Sequence, residues 1–357
     1  MPSRLGSYGL VQRSCHRTPG SAASCADADA PAPVDLDPPT TSSISSDMPS
    51  WPSFFSTPPD SDPAAGPPEI PGVRRSEVIA RGVRFHVTEA GPADGRPVLA
   101  LHGWPEHHYA YRHLLADPPE GVRIIAPDLP GYGWSGPAPH RWAKEDIASD
   151  LLALLDALDL QRVLLVGHDW GGYIAHLLVL REPERFDALL ALNIAHPWQT
   201  ARGFLPHAWR FLLYQPAVAA FGTYLHRRTR FLEQFVFAGA VRDREAFGPE
   251  VIRAYADRFR DPVCARTATD TYRTFLLREV PRKAGHGERR RARVPIRALF
   301  GVEDAAVHPS LAAEETARAD DYRFEPVRDC GHFILEERPD LVRARLVELA
   351  AATARPA

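Results

Sequence analysis

Val163-Leu164-Leu165-Val166-Gly167-His168-Asp169-Trp170-Gly171-Gly172 joins an apolar run to a Gly-flanked polar centre. Four consecutive apolar residues bounded by Gly read as a fully buried strand. The residues that follow, 171–182, carry helix-forming side chains up to Pro183. A strand that ends in small-x-x-x-small and opens a helix is a tight elbow that lifts its central side chain above the sheet. The glycines answer a steric demand, because strand and helix approach too closely there for a Cβ. Asp169 occupies the centre. A helix N-cap would also account for a carboxylate at this point. The strand in front and the paired glycines behind favour the elbow.

Outward from this stretch, short apolar runs recur at 83–87, 98–101, 122–126 and 189–192, and again at 296–300 and 322–324. Ile147, Leu151, Leu154, Leu155 and Leu158 recur at helical spacing, which predicts a helix over 145–159. A further helix is expected over 339–352. Alternating strands and helices imply an α/β fold with a mostly parallel sheet covered on both faces. Between 197 and 290 the alternation stops. The stretch is rich in Arg, Phe and Tyr and predicts helices over 204–213, 224–237, 249–260 and 267–278. We therefore divide the chain into a core of 71–196 and 291–357 and a helical lid of 197–290. An insertion after a mid-sheet strand lies over the strands' C-terminal ends, where such sheets bind ligands.

Residues 1–70 hold more than a third of the 35 prolines, with many Ser, Ala and Asp. Such a segment buries too little apolar surface to offset its ordering entropy, so it is expected to be disordered. The composition is structureless on both sides of Met48, one of two methionines, which makes Met48 a candidate start. The chain has 42 basic and 45 acidic residues and a net charge of −3, which gives no reason to expect nucleic acid or an anionic membrane as partner. Four scattered cysteines form neither a disulfide framework nor a zinc site. No metal or organic cofactor is expected, and a cytoplasmic location is the default. Oligomeric state stays open, with a homodimer as the candidate assembly. Arg289-Arg290-Arg291-Ala292-Arg293 reads as a solvated loop at the lid's exit, since no aromatic residue interleaves with it.

The Asp in the elbow determines the chemistry. A serine there suits attack on a carbonyl carbon. A carboxylate instead displaces a leaving group from a saturated carbon and becomes an alkyl ester. Water must then hydrolyse that ester, which needs a general base and an oxyanion hole. His102-Gly103-Trp104-Pro105 follows a strand, so the N–H groups of Trp104 and Trp170 are the expected oxyanion donors. His332, in Asp329-Cys330-Gly331-His332, is the expected base. Asp304 is the expected orienting acid, with Glu303 as the fallback. His168 is expected to pack behind the nucleophile.

Together with Pro127-Asp128-Leu129-Pro130-Gly131-Tyr132-Gly133-Trp134-Ser135 and Asn193-Ile194-Ala195-His196-Pro197, these motifs resemble the soluble epoxide hydrolases of the α/β-hydrolase superfamily. The likeness spans roughly 75–350. It implies that two lid tyrosines hold the epoxide oxygen. Tyr214 and Tyr272 match by local context, with Tyr224 and Tyr255 as substitutes. The implied partners are a small-molecule epoxide and water. Haloalkane dehalogenases use the same aspartyl ester but need N–H donors for a halide. Trp170 offers one. The usual Asn after His-Gly is replaced by Trp104, and Trp198 and Trp209 are the lid alternatives. Fluoroacetate dehalogenases carry Arg where this chain has Trp170. A non-catalytic binder of a small ligand is the third reading.

Overall fold

The computed structural model describes residues 65–199, 201–282, 287–313 and 317–354, all within the second of the chain's two units, Met1–Met48 and Pro49–Ala357. The readings of residues 1–64 and of Met48 as a start lie outside the described residues. The end of the expected tail does not behave as one. Ile70 is buried, Arg75 Nη2 donates to the Pro68 carbonyl at 2.5 Å, and the Trp134 indole donates to the Ala65 carbonyl at 3.1 Å. The chain thus engages the core before residue 71.

Eight strands form one sheet: β1 (Arg74–Ala80), β2 (Val83–Ala90), β3 (Arg96–Leu101), β4 (Val122–Pro127), β5 (Val163–His168), β6 (Phe186–Leu192), β7 (Ile296–Gly301) and β8 (Tyr322–Val327). Their order is β1-β2-β4-β3-β5-β6-β7-β8. β2 pairs antiparallel with β1 and β4, and every other pairing is parallel. β1 has no counterpart in the sequence reading, because its exposed edge carries the mixed pattern Arg74-Arg75-Ser76-Glu77. In the central strands, residues 98–101 and 163–166 are apolar and buried, as expected for a sheet covered on both sides.

From β3 the chain steps to β4 on one side, then crosses to β5 on the other. Right-handed crossovers in opposite directions send the helices to opposite faces of the sheet. The C-terminal ends of β3 and β5, in register at Leu101 and Gly167, therefore flank a crevice. Helix α1 (Lys144–Ala157) precedes β5, α2 (Asp169–Arg181) follows it, and the chain closes with the helix Pro339–Ala352. Two glycines of the elbow are sterically required. A Cβ on Gly172 would lie 2.7 Å from the Gly167 carbonyl oxygen, and one on Gly171 would collide with the carbonyls of Leu101 and His102.

Between β6 and β7 lie helices α3 (Gln215–Arg228), α4 (Pro249–Arg258) and α5 (Pro262–Thr274), with shorter turns before and between them. The helix expected over 224–237 is broken. Thr229 is extended, and its hydroxyl accepts the Phe231 amide at 3.2 Å, so α3 stops and a π-helical turn begins at Leu232. A second π-helical turn, Phe275–Glu279, continues α5. Among the described residues no helix is long and apolar enough to cross a membrane. Arg290 and Arg291 of the basic run form ion pairs with Glu145, Glu288 and Asp320.

Candidate active site

Asp169 is the first residue of α2 and has a φ of +46°. Left-handed backbone is costly for most residues but tolerable for Asp. Its side chain turns toward the β3 loop, where Oδ2 accepts the Trp104 N–H at 3.1 Å. A Cβ on Gly103 would collide with Asp169, so only Gly fits beneath the carboxylate. Burial pushes the Asp169 carboxyl above the usual range, while His332, His168 and the Trp104 amide pull it back. His102 supports the loop from below, its Nε2 accepting the Leu129 amide at 2.9 Å. The Trp104–Pro105 peptide is cis.

His332 follows β8. Its Nδ1 lies 2.8 Å from Oδ2 of Asp304, in the loop after β7. Asp304 Oδ1 accepts the amides of Ala306 and Val307 at 2.7 and 2.9 Å. Asn193, also left-handed at +46°, donates through Nδ2 to Asp304 Oδ2 at 2.8 Å and to the Gly331 carbonyl at 3.0 Å. This residue directly follows β6, and nothing in the sequence alone gave it a role. Burial opposes charge on both partners, but each overrides it for the other. Asp304 titrates below its ordinary value. For His332, Asp304 leads and Asp169 and Glu106 add, lifting the imidazole to about 9. The fallback acid Glu303 faces elsewhere and accepts the Cys330 and Asp329 amides.

Beside Asp169, His168 Nδ1 lies 2.7 Å from Glu106 Oε2, and Nε2 lies 2.8 Å from the His332 carbonyl. Glu106 and His168 are fully buried. With both nitrogens facing acceptors, the ring is a cation paired with Glu106, and that carboxylate raises the imidazole's pKa against burial. His168 thus sits behind the nucleophile, as expected. Glu106 directly follows His102-Gly103-Trp104-Pro105, and no feature of the sequence alone gives it a role.

Above Asp169, the lid brings Tyr214 and Tyr272 together. Their rings meet edge to face at 5.7 Å. Tyr214 stacks on Trp104 at 6.0 Å, and Tyr272 packs against Trp104 at 5.1 Å and Trp170 at 5.7 Å. Burial, reinforced by the Asp169 charge, holds both phenols above their usual pKa, so both are neutral donors near pH 7. The two substitutes are elsewhere. Tyr224 is 55 % exposed, and the Tyr255 hydroxyl donates to Glu336 at 2.5 Å.

The indoles bear on the halide alternative. Trp104 Nε1 donates to His226 Nε2 at 3.2 Å, and Trp198 Nε1 donates to the Arg290 carbonyl at 2.8 Å. Trp209 lies on the surface. None of the three aims its N–H at Asp169.

His86, His108 and Asp128 form a compact buried group. Each imidazole Nδ1 meets a different Asp128 oxygen, at 3.0 and 2.9 Å, and the His108 and Trp134 amides take the remaining lone pairs at 2.7 and 2.9 Å. The carboxylate is saturated, so this group ties loops together and has no free oxygen for a metal.

Residues 96–339 match the model of a family described as the alpha/beta hydrolase fold. AB hydrolase superfamily protein YfhM of Bacillus subtilis (strain 168) is 27% identical over 287 residues, covering 78% of this chain and 98% of that one. Epoxide hydrolase 4 of Mus musculus is 27% identical over 273 residues, covering 73% and 74%. Among solved structures, epoxide hydrolase CorEH without ligand superposes with a TM-score of 0.63 at 24% identity, over 79% of this chain and 100% of that one, a likeness of fold.

Proposed function

Because the chain belongs to the alpha/beta hydrolase fold family, we propose that it is an epoxide hydrolase, opening an epoxide to a vicinal diol through an ester on Asp169. The observation that carries this is a carboxylate at the elbow beneath two neutral tyrosines, Tyr272 buried and Tyr214 partly buried, whose rings meet edge to face. The relatives named epoxide hydrolases support the same reading.

Tyr214 and Tyr272 donate to the epoxide oxygen, and Asp169 attacks a ring carbon from the opposite side. The ring C–O bond breaks as the bond from an Asp169 carboxylate oxygen to carbon forms, and a phenol gives its proton to the alkoxide. The resting His332 is held protonated by carboxylates, one of which is Asp169. Esterification cancels the Asp169 charge and so lowers the His332 pKa. The proton that His332 then loses replaces, through solvent, the one the phenol gave up, and the imidazole is neutral when the ester needs a base. Neutral His332, oriented by Asp304, removes a proton from water as it attacks the Asp169 carbonyl carbon. The Trp104 N–H, already on Oδ2, stabilises the oxyanion. The Trp170 N–H, next along the turn, is the proposed second donor. The intermediate collapses, the bond from the Asp169 carbonyl carbon to the alkyl oxygen breaks, the imidazolium protonates the departing diol, and the carboxyl proton returns to His332 to restore the Asp169 carboxylate.

A haloalkane would form the same ester. The indoles of Trp104 and Trp198 are engaged elsewhere, which leaves Trp170 without an evident partner for holding a halide. Purified protein would be incubated in ¹⁸O-water with a styrene oxide-type epoxide and, separately, with a 1-haloalkane. Diol without halide, with ¹⁸O entering the Asp169 peptide over multiple turnovers, is expected. Halide release with the same label would make it a dehalogenase, and saturable binding without turnover would make it a binding protein.

A further inference from the structure

Lys144 opens α1 and is only 1 % exposed. A buried ammonium is costly unless it is paired and hydrogen-bonded. Its Nζ lies 3.0 Å from Glu279 Oε2 and donates to the Thr271 carbonyl at 3.2 Å. It also sits over the faces of Trp170 and Phe275, 4.2 and 4.7 Å from the ring centroids. Glu279 Oε1 accepts the Lys144 backbone N–H at 2.8 Å. One carboxylate therefore satisfies an open amide in the first turn of α1 and balances the ammonium.

These partners converge on the site. Trp170 follows the nucleophile, and Thr271 precedes Tyr272. Phe275 and Glu279 bound the π-helical turn that continues α5. The Trp170 ring in turn meets Tyr272 at 5.7 Å and Phe275 at 4.9 Å. The cation thus joins the elbow of the core to the lid segment that carries Tyr272.

We propose that Lys144 is a positioning residue for ring opening, holding the backbone of α5 against Trp170 so that Tyr272 stands at the right height above Asp169. This rests on the reading of Tyr272 as a donor to the epoxide oxygen. Lys144 touches none of the reacting atoms and acts through Thr271 and Trp170. Ester hydrolysis depends on His332, Asp304 and the amides of Trp104 and Trp170; the hydrogen bonds and ion pair of Lys144 go to Glu279 and Thr271, and it meets Trp170 on the face of the indole, not at the backbone amide. Loss of the cation should therefore slow the first half-reaction and spare the second.

The test uses Lys144→Met, which keeps the apolar stem, and Lys144→Met/Glu279→Gln, which also removes the carboxylate that would be left unpaired. Single-turnover mixing with epoxide, acid quenching and mass measurement of the Asp169 peptide give separate rates of ester formation and ester decay. Both variants are expected to form the ester at least about tenfold more slowly, the scale of a sub-ångström to ångström misplacement, with decay unchanged. Ester formation at the wild-type rate in the double variant would overturn the inference. So would equal slowing of both steps in step with a lower Tm, which marks general damage. Failure of the underlying reading looks different: wild-type protein would turn over epoxide with no ester trapped on Asp169.

Discussion

At the scale of single residues, the site sets stability against chemistry. Asp169 holds a left-handed backbone angle and a buried carboxyl whose proton affinity is raised by burial. Ionising it costs the folded state stability that returns only when the group is neutral. Asp169→Asn keeps the shape and tolerates the backbone angle. We expect it to abolish ester formation, seen as no ¹⁸O in the peptide, with a Tm near neutral pH no lower than wild type. His332→Gln removes the base and leaves the nucleophile. The ester should form at close to the normal rate and then persist, with decay slowed by roughly 10²–10⁴-fold. Intact mass after mixing with epoxide would show the protein plus one substrate; prompt diol release would remove His332 from the mechanism.

At the scale of elements, the proposed reaction draws the oxygen's partners from the lid and the nucleophile and base from the core. Tyr214 stands just before α3 and Tyr272 lies within α5, yet their rings meet over Trp104 because the two helices pack side by side. Tyr214→Phe and Tyr272→Phe should each slow ester formation about 10–100-fold, in the range of a lost general acid, with ester decay little changed. The double variant should lose less than the product of the two, since the phenols act as a unit and the loss of either already removes most of what the pair provides. Stopped single-turnover kinetics would test this. If neither change altered ester formation, Tyr255 would not serve as a replacement, because its hydroxyl is already committed to Glu336.

At the scale of the whole molecule, the Asp304–His332 pair links loops after β7 and β8 and titrates with folding. His332 is raised to about 9. Its contribution is fully present below its unfolded value of about 6.5 and is lost as pH rises through the folded value. Asp304 is lowered, so its contribution is present above its unfolded value of about 3.9 and is lost as pH falls through the folded value. Urea unfolding of wild type and His332→Gln should therefore differ most between about pH 4 and 6.5, and the gap should close toward pH 9. A gap that widened with pH would contradict a charged His332 in the resting enzyme.

The sequence by itself determined the strand–elbow–helix, the α/β alternation, the lid's place in the chain, and Asp169, His332 and Asp304 as candidates. Each is announced locally, by an apolar run, a glycine that a close approach demands, or a position just past a strand. β1 was invisible because an exposed edge strand has no buried face to impose a pattern. The break in the lid at Thr229 was invisible because a single side-chain hydrogen bond produces it. Only the tertiary structure decided which tyrosines reach the site, since helical spacing shows which side chains share a face and not what that face meets. The same holds for Asn193 behind Asp304, Glu106 beneath His168, His226 on the Trp104 indole and Lys144 behind Trp170. Their roles arise from contacts across 26 to 122 positions of chain, and no local spacing encodes such contacts, although Glu106, three residues after Gly103, could be suspected from its place beside the motif.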